Sequence, residues 1–223
     1  MTERTDIQRI VAGRRCFLLG DEDAERVLLQ PVDARGSRSF AKLADAVRAL
    51  APGRPFLLCG FPVEDWNDEL SPWAAPPAFR GKGFGGRAEE TLRFLTDGLL
   101  PALGDGRRIC LGGYSMAGLF SLWAAMEHDG FAGVAGVSPS VWFPGWDALA
   151  RERRIRAGAV YLSLGTREDG TRYEAMATSG ESLRALNGKL SEDGIPHILE
   201  WNPGGHFSDP TGRTARGFAW LLN

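Results

Sequence analysis

Apolar positions along this chain fall into two patterns, short continuous runs and longer stretches with helical spacing. The short runs are bounded by glycine, proline or polar residues, which is typical of buried strands. They are CFLL (16–19), RVLLQ (26–30), PFLLC (55–59), RICL (108–111), FAGVAGV (131–137), AVYLSL (159–164) and HILEW (197–201). Helical spacing predicts helices over residues 39–50, 88–103, 116–128, 179–192 and 213–222.

The order of these segments indicates the fold class. Strands and helices alternate through most of the chain, and several strands are apolar at nearly every position. A strand needs apolar side chains on both faces only when both faces are covered. The pattern therefore predicts an α/β fold with a mostly parallel central sheet and helices on both sides. No internal repeat or low-complexity linker divides the chain, so residues 1–223 are expected to form one domain.

One long stretch has neither pattern. After PFLLC, which we expect to end at Gly60, residues 61–87 read FPVEDWNDELSPWAAPPAFRGKGFGGR. Long loops in compact domains are usually functional or disordered, and this one contains too many aromatic residues for disorder. Those residues are Trp66, Trp73, Phe79 and Phe84. Trp66, with Asn67 and Trp73, is expected either to line a substrate cleft or to anchor the loop.

Composition narrows the possible partners and the compartment. The chain has 26 basic and 28 acidic residues and a formal net charge of −2, which gives no reason to expect nucleic acid or a membrane as partner. The N-terminal MTERTDIQRI contains no apolar core of signal-peptide length, so a cytoplasmic protein is predicted. Cys16, Cys59 and Cys110 lie far apart in apolar runs, which indicates buried, reduced thiols and no metal site. The sequence does not indicate an oligomeric state.

The candidate nucleophile lies in LGGYSMAGLFSLWAA, residues 111–125, between an apolar strand and an apolar helix. Ser115 is either a simple helix cap or a nucleophile held on a sharp turn. The surrounding pattern is G-x-S-x-A, in which Gly113 permits the turn and the small residues Ala117 and Gly118 permit close packing of helix on sheet. A serine hydroxyl is a poor nucleophile without a general base, so the hypothesis requires a histidine at the same edge of the sheet.

Only one of the three histidines satisfies this requirement. His128 ends the helix that begins after Ser115, and about twelve residues at 1.5 Å each carry it roughly 18 Å away. His197 begins its strand and therefore lies at the opposite edge. His206 follows the carboxyl end of that strand, in NPGGHF, where open α/β sheets place their ligands. The sequence therefore predicts His206 as the base.

The acid that orients the base is expected after the strand AVYLSL, in the loop GTRED. Spacing after Gly165 favours Glu168, and Asp169 remains the alternative. The chain order serine, acid, histidine is that of α/β-hydrolases. The backbone N–H groups of Met116 and of Phe61 are predicted to form the oxyanion hole.

Four motifs together resemble the putative-esterase family of α/β-hydrolases, which includes esterase D, feruloyl esterases, trilactone siderophore esterases and mycolyltransferases. They are GGYSMAG (112–118), GVSPSVWF (136–143), SLGTRED (163–169) and GGHF (204–207). DWNDELSPW (65–73) and GFGGRAEETLRFL (83–95) resemble the segment that precedes the nucleophile in small bacterial members. The resemblance runs from about Phe56 to the C-terminus. It implies an α/β-hydrolase fold and a serine esterase or thioesterase without metal or organic cofactor.

The function predicted from these observations is hydrolysis of a small-molecule carboxylic ester through an acyl-enzyme. Tyr114, Trp142 and Trp66 are expected to contact the substrate, although Trp142 is equally compatible with a role in covering the core. An acyltransferase that uses the same residues, and a catalytically inert binding protein with this fold, are the alternatives. The sequence leaves open which ester is cleaved.

Overall fold

In the computed structural model, which describes residues 7–33, 38–78, 81–169 and 174–223, eight strands form one twisted sheet. Two further short strands, β5 and β6, form a separate ribbon. The strands are β1 (Ile7–Val11), β2 (Arg14–Gly20), β3 (Arg26–Asp33), β4 (Leu57–Val63), β5 (Ala74–Ala75), β6 (Phe84–Gly85), β7 (Arg108–Tyr114), β8 (Gly133–Val137), β9 (Val160–Gly165) and β10 (His197–Asn202).

The helices alternate with these strands along the chain. They are α1 (Arg38–Leu50), α2 (Trp66–Glu69), α3 (Ala88–Arg93), α4 (Leu100–Leu103), α5 (Met116–Glu127), α6 (Trp146–Glu152), α7 (Glu174–Ala177), α8 (Ser179–Glu192) and α9 (Pro210–Leu221). A π-helical turn, Phe94–Leu99, joins α3 to α4 into one continuous helical segment. Within the described ranges, no helix combines the length and the apolar character needed to span a bilayer.

The sheet is mostly parallel, as the sequence predicts. Its strand order is β1-β2-β4-β3-β7-β8-β9-β10, and only the pairings of β2 with β1 and with β4 are antiparallel. From β4 to β10 every neighbouring pair is parallel, so the carboxyl ends of these strands meet at one edge. That edge is where open α/β sheets bind their ligands.

Two apolar clusters cover the two faces of the sheet. Along β3, Val27 and Leu29 pack in one cluster with side chains of α5 and α8, whereas Leu28 packs in the other with α1 and α9. Successive strand residues point to opposite faces, so a strand buried between two helical layers must be apolar at every position. This is the physical reason for the continuous apolar runs in the sequence.

The predicted end of the strand PFLLC at Gly60 is wrong. β4 continues through Gly60 and pairs in parallel with β3 as far as Val63, opposite Asp33. Gly60 is needed for a different reason: a Cβ there would lie 2.9 Å from the ring of Phe40, a residue of α1. The glycine therefore lets α1 pack closely on the sheet and does not terminate the strand.

The long aperiodic stretch contains more order than the sequence indicates. It begins after Val63 and includes α2, β5 and β6. Trp73 donates a hydrogen bond from Nε1 to the carbonyl of Pro144 at 2.9 Å, which anchors the stretch to the segment after β8. Phe79, which the sequence also singles out, lies outside the described residues.

Candidate active site

Ser115 lies at the sharp turn between β7 and α5. Its backbone has φ 58° and ψ −117°, a conformation that side-chain-bearing residues rarely adopt. The turn is held by hydrogen bonds from the Ser115 amide to the carbonyl of Val137 and from the Leu119 amide to the carbonyl of Ser115, both 3.0 Å. Gly113 allows this geometry, because a Cβ at that position would lie 2.4 Å from the Cβ of Ala117.

The side chain of Ser115 does not cap the helix. Its hydroxyl makes no hydrogen bond to the first amides of α5. Instead, Oγ lies 3.0 Å from Nε2 of His206 and 3.1 Å from Oγ of Ser140. Ser140 is fully buried, whereas the side chain of His206 is 14% exposed.

The imidazole of His206 connects Ser115 to a carboxylate. Nδ1 of His206 lies 2.8 Å from Oε2 of Glu168, which is buried. An ionised carboxylate can only accept, so Nδ1 carries a hydrogen, and in the neutral ring Nε2 accepts the hydrogen of the Ser115 hydroxyl. The structure thus brings together the three side chains that the sequence predicts.

The carboxylate of Glu168 is held by several donors. Its Oε1 accepts hydrogen bonds from the Gly165 amide at 2.6 Å, from the Ser138 hydroxyl at 2.8 Å and from Arg213 Nη1 at 3.0 Å. Burial raises the pKa of this carboxyl, but the hydrogen bonds from His206, Ser138 and the Gly165 amide together outweigh burial. The pKa of Glu168 therefore lies below its usual value, and the group is ionised at neutral pH.

The alternative acid, Asp169, points elsewhere. Its Oδ2 accepts a hydrogen bond of 3.0 Å from Arg184, a residue of α8. The neighbouring carboxylates thus have different environments, and it is Glu168 that faces His206. The other two histidines also lie away from this edge: His128 packs edge-on against Phe131, and His197 contacts the carbonyl of Ile195.

A cavity of about 330 Å³ opens above the Ser115 hydroxyl. Its walls are mainly apolar, and they combine residues of the long stretch before β7 with residues that follow β7, β8, β9 and β10. The lining residues are Asn67, Ala78, Gly81, Lys82, Phe84, Ser115, Met116, Ser140, Trp142, Met176, His206 and Phe207. Trp142 lies in this wall, as expected of a substrate-contacting residue, and packs edge-on against Phe84 at 6.1 Å between ring centroids.

Two residues that the sequence predicts to contact the substrate, Tyr114 and Trp66, lie outside the cavity wall. Tyr114 is absent from the cavity wall; its hydroxyl donates to the backbone carbonyl of His206 and accepts from Arg213. Trp66 is also absent from the wall and packs, partly buried, against the main apolar cluster. Its neighbour Asn67 lines the cavity instead, because α2 begins at Trp66 and turns successive side chains in different directions.

Of the two residues predicted to form the oxyanion hole, Met116 lines the cavity and Phe61 does not. Met116 is the first residue of α5 and lines the cavity, and the first amides of a helix have no partner within it. Phe61 lies inside β4 and not in the loop after it, so the expected position is wrong. Its side chain is fully buried against Phe120, and it is not among the residues that line the cavity.

Arg213 and Ser138 both contact Glu168, although the sequence analysis assigns no role to either; Ser138 lies within the motif GVSPSVWF, whereas Arg213 lies outside the motifs. Arg213, on α9, donates to Glu168, to Ser138 and to Tyr114 through Nη1, and to the carbonyl of Pro203 through Nη2. An arginine in an amphipathic helix with other charged residues normally faces solvent, so no local signal marks this one as buried.

The described residues offer no obvious metal ligands. Within these ranges, no three His, Cys, Asp or Glu side chains lie close enough together to hold a metal ion. The absence of a metal or organic cofactor therefore stays a prediction from the sequence.

Comparison with known families and structures adds independent evidence. A family described as Putative esterase matches residues 40–207, which is well over half of the 223 residues and includes Ser115, Glu168 and His206. No curated protein matches the chain.

Several solved structures have a similar fold. An IroE-like serine hydrolase from Shewanella oneidensis superposes with a TM-score of 0.77 at 16% identity, over 99% of this chain and 80% of that one. The siderophore hydrolase EstB from Aspergillus nidulans gives a TM-score of 0.72 at 17% identity, over 99% and 96% of the two chains. The enterobactin esterase FES from Shigella flexneri gives 0.69 at 18% identity, over 98% and 59%. At these identities the likeness shows the fold, that of the α/β-hydrolases, as the sequence motifs imply.

Proposed function

The chain belongs to the putative-esterase family, and from this premise we propose that it hydrolyses carboxylic esters through an acyl-enzyme formed on Ser115. The observation that carries the proposal is the position of the His206 imidazole between two partners. Its Nε2 lies 3.0 Å from Ser115 Oγ and its Nδ1 lies 2.8 Å from Glu168 Oε2. The first distance is within the range that proton transfer between a nucleophile and its base requires, and the second is a normal hydrogen-bond length between the base and the acid that orients it.

In the first half of the reaction, Ser115 Oγ attacks the carbonyl carbon of the ester. His206 accepts the hydroxyl proton at Nε2 as the bond forms, and the carboxylate of Glu168 stabilises the resulting imidazolium. The tetrahedral intermediate then expels the alcohol, which takes the proton from Nε2. The acyl group remains on Ser115 as an ester.

The developing oxyanion needs donors that are already oriented. The Met116 amide is proposed as one donor, because it follows the nucleophile directly and lies at the N-terminus of the 12-residue helix α5. We propose no second donor, since Phe61 lies inside β4 and is not among the residues that line the cavity.

In the second half of the reaction, water takes the place of the alcohol. His206 accepts a proton from the water molecule as it attacks the acyl carbon, and returns that proton to Ser115 Oγ when the acid leaves. The net products are a carboxylic acid and an alcohol. Transfer to an alcohol acceptor would use the same residues, but none of the described residues that line the cavity favours an acceptor over water.

A covalent probe tests the nucleophile directly. The native protein is expected to react with a fluorophosphonate at one site and to hydrolyse p-nitrophenyl esters, whereas Ser115→Ala is expected to do neither while keeping its fold. Ser121→Ala is a matched control, because Ser121 is buried in the same helix and its hydroxyl is bonded to the carbonyl of Ala117. Labelling or hydrolysis that survives in Ser115→Ala would mean that another residue is the nucleophile.

A further inference from the structure

The guanidinium of Arg213 is the most deeply buried charged group next to the candidate site, with a side chain only 1% exposed. Burying an arginine is costly unless its donors are used, so its partners show what it is for. All of the partners that the structure gives it belong to the neighbourhood of Glu168 and His206. They are Glu168 Oε1, Ser138 Oγ, Tyr114 Oη and the carbonyl of Pro203.

Arg213 holds the segment 203–206, which ends at His206, at two points. Nη2 of Arg213 donates to the carbonyl of Pro203 at 2.9 Å, at the start of the segment. Nη1 donates at 3.2 Å to the hydroxyl of Tyr114, which in turn donates to the carbonyl of His206. The same Nη1 lies 3.0 Å from Glu168 Oε1. One planar group thus sets the positions of both the acid and the base.

We propose that Arg213 is a positioning residue, which holds Glu168 and the His206 segment in register with Ser115 and balances the charge of the Glu168 carboxylate. This proposal rests on the function proposed above. Arg213 does not face the cavity and has no contact with the Ser115 hydroxyl, so its effect on the reaction passes through Glu168, Tyr114 and Pro203.

The charge of Arg213 has a second consequence, for the pH range of the reaction. With Arg213 present, the carboxylate already has a buried counter-ion, so it gains less from a protonated imidazole. Replacing Arg213 with a neutral residue removes a buried cation from this cluster, so the pH range of the reaction is expected to change. Other ionisable groups near this cluster, among the described residues, are Tyr114 at the end of β7, Lys82 in the cavity wall, the exposed Arg167, Asp169 with its partner Arg184, and Asp209 before α9, which is 4.0 Å from Arg216.

Three variants of the full chain test the proposal. Arg213→Met removes the charge and all of the hydrogen bonds; Arg213→Lys keeps a charge, but a single ammonium cannot reach the separate partners of Nη1 and Nη2. Arg216→Met is the matched control, because Arg216 lies one turn further along α9 and its Nη2 donates to the Asn202 side chain. The assays are kcat and KM for a p-nitrophenyl ester as functions of pH, with circular dichroism to establish folding.

Both Arg213 variants are expected to lose kcat by about 10- to 100-fold with a smaller change in KM, because the base and the acid are displaced while most of the cavity wall, including Trp142 and Phe84, stays in place. In Arg213→Met the acid limb of kcat/KM is expected to move to higher pH by about one unit, whereas Arg213→Lys keeps it near the native position. Arg216→Met is expected to match the native enzyme in both respects. If Arg213→Met does not fold, the proposal is tested by Arg213→Lys alone, which is expected to have a reduced kcat and an acid limb of kcat/KM at the native pH.

A folded Arg213→Met enzyme with the native acid limb, or an Arg213→Lys enzyme as active as the native one, would overturn the proposal. If the native protein hydrolyses esters through Ser115, either of these results for the variants refutes only the role of Arg213. Failure of the native protein to react through Ser115 refutes the proposed function itself, and the two failures are therefore distinct.

Discussion

The carboxylate of Glu168 and the imidazole of His206 are in hydrogen-bond contact, 2.8 Å apart, although 38 positions separate them in the chain. The contact follows from the sheet. Glu168 lies just after β9 and His206 just after β10, and these strands are parallel neighbours that end level with each other, Gly165 opposite Asn202. The two loops therefore leave the sheet side by side, and short connections suffice to bring the side chains together.

This contact predicts which of two adjacent acids matters for catalysis. Glu168→Gln is expected to reduce kcat/KM by about 100- to 10,000-fold, because an amide cannot stabilise the imidazolium and does not select one tautomer of the ring. Asp169→Asn is the matched control: it alters the neighbouring residue in the same way, but the carboxylate it removes is bonded to Arg184. Steady-state hydrolysis of a p-nitrophenyl ester measures both. A larger loss in Asp169→Asn than in Glu168→Gln would contradict the placement of the acid.

The hydrogen bonds to Glu168 also predict how stability depends on pH. They hold its pKa in the folded state below the ordinary 4.5, so the unfolded chain binds the proton more readily. The stabilisation from this group is thus fully present above 4.5 and is lost as the pH falls through the lower, folded-state value. Denaturant unfolding at about pH 7 and about pH 3.5 is expected to show a smaller loss of stability on acidification for Glu168→Gln than for the native chain.

Asp169→Asn serves as the reference in these measurements. It is expected to retain the native loss of stability on acidification, since Glu168 remains in place. An equal dependence on pH for the native chain and for Glu168→Gln would show that the Glu168 carboxylate is not stabilised in its ionised form by the fold.

The sequence predicts most of the strands and helices because burial on both faces leaves a local trace, as in the run Val27–Leu29 of β3. It also predicts the edge at which Ser115 and His206 meet, since parallel strands share the direction of their ends. It does not predict β1, α2, α6, α7 or the ribbon of β5 and β6. Gly60 shows a limit: the residue resembles a terminator, and only the position of the Phe40 ring explains why a glycine is needed within β4.

The supporting residues of the site are not predictable in this way. Tyr114 is the last residue of β7 and precedes the nucleophile, which favours a role in substrate binding, but its hydroxyl is bonded to the His206 carbonyl. Arg213 lies far along the chain from Glu168, and nothing in its local sequence marks it as buried. Such roles depend on contacts between distant segments, and a single sequence does not contain their geometry.

The exposed ring of Phe207 predicts a preference for apolar acyl chains. The residue is 89% exposed, follows His206 directly and lines the cavity together with Trp142 and Phe84. A bound apolar chain would bury part of this ring. Phe207→Ala is therefore expected to raise KM for p-nitrophenyl hexanoate roughly fivefold with little change in kcat, and to affect the acetate ester less.

A second exposed apolar residue supplies the control for Phe207. Ile10 is 66% exposed on the edge strand β1 and does not line the cavity, so Ile10→Ala is expected to leave both constants unchanged. An equal rise in KM for the short and the long ester in Phe207→Ala would argue against contact between the ring and the acyl chain.

The backbone conformation of Ser115 predicts that Ser115→Gly is more stable than Ser115→Ala, the reverse of the usual order for glycine and alanine. At φ 58° and ψ −117° a Cβ is strained, so Ser115→Gly is expected to be more stable than Ser115→Ala by about 1 kcal/mol, after the greater entropy of glycine in the unfolded chain is subtracted. At Ser121, within the same helix α5, the order reverses, because glycine in a helix interior is about 1 kcal/mol less stable than alanine. Denaturant unfolding of the four variants gives both differences. If alanine is the more stable substitution at both positions, the backbone at Ser115 is not strained.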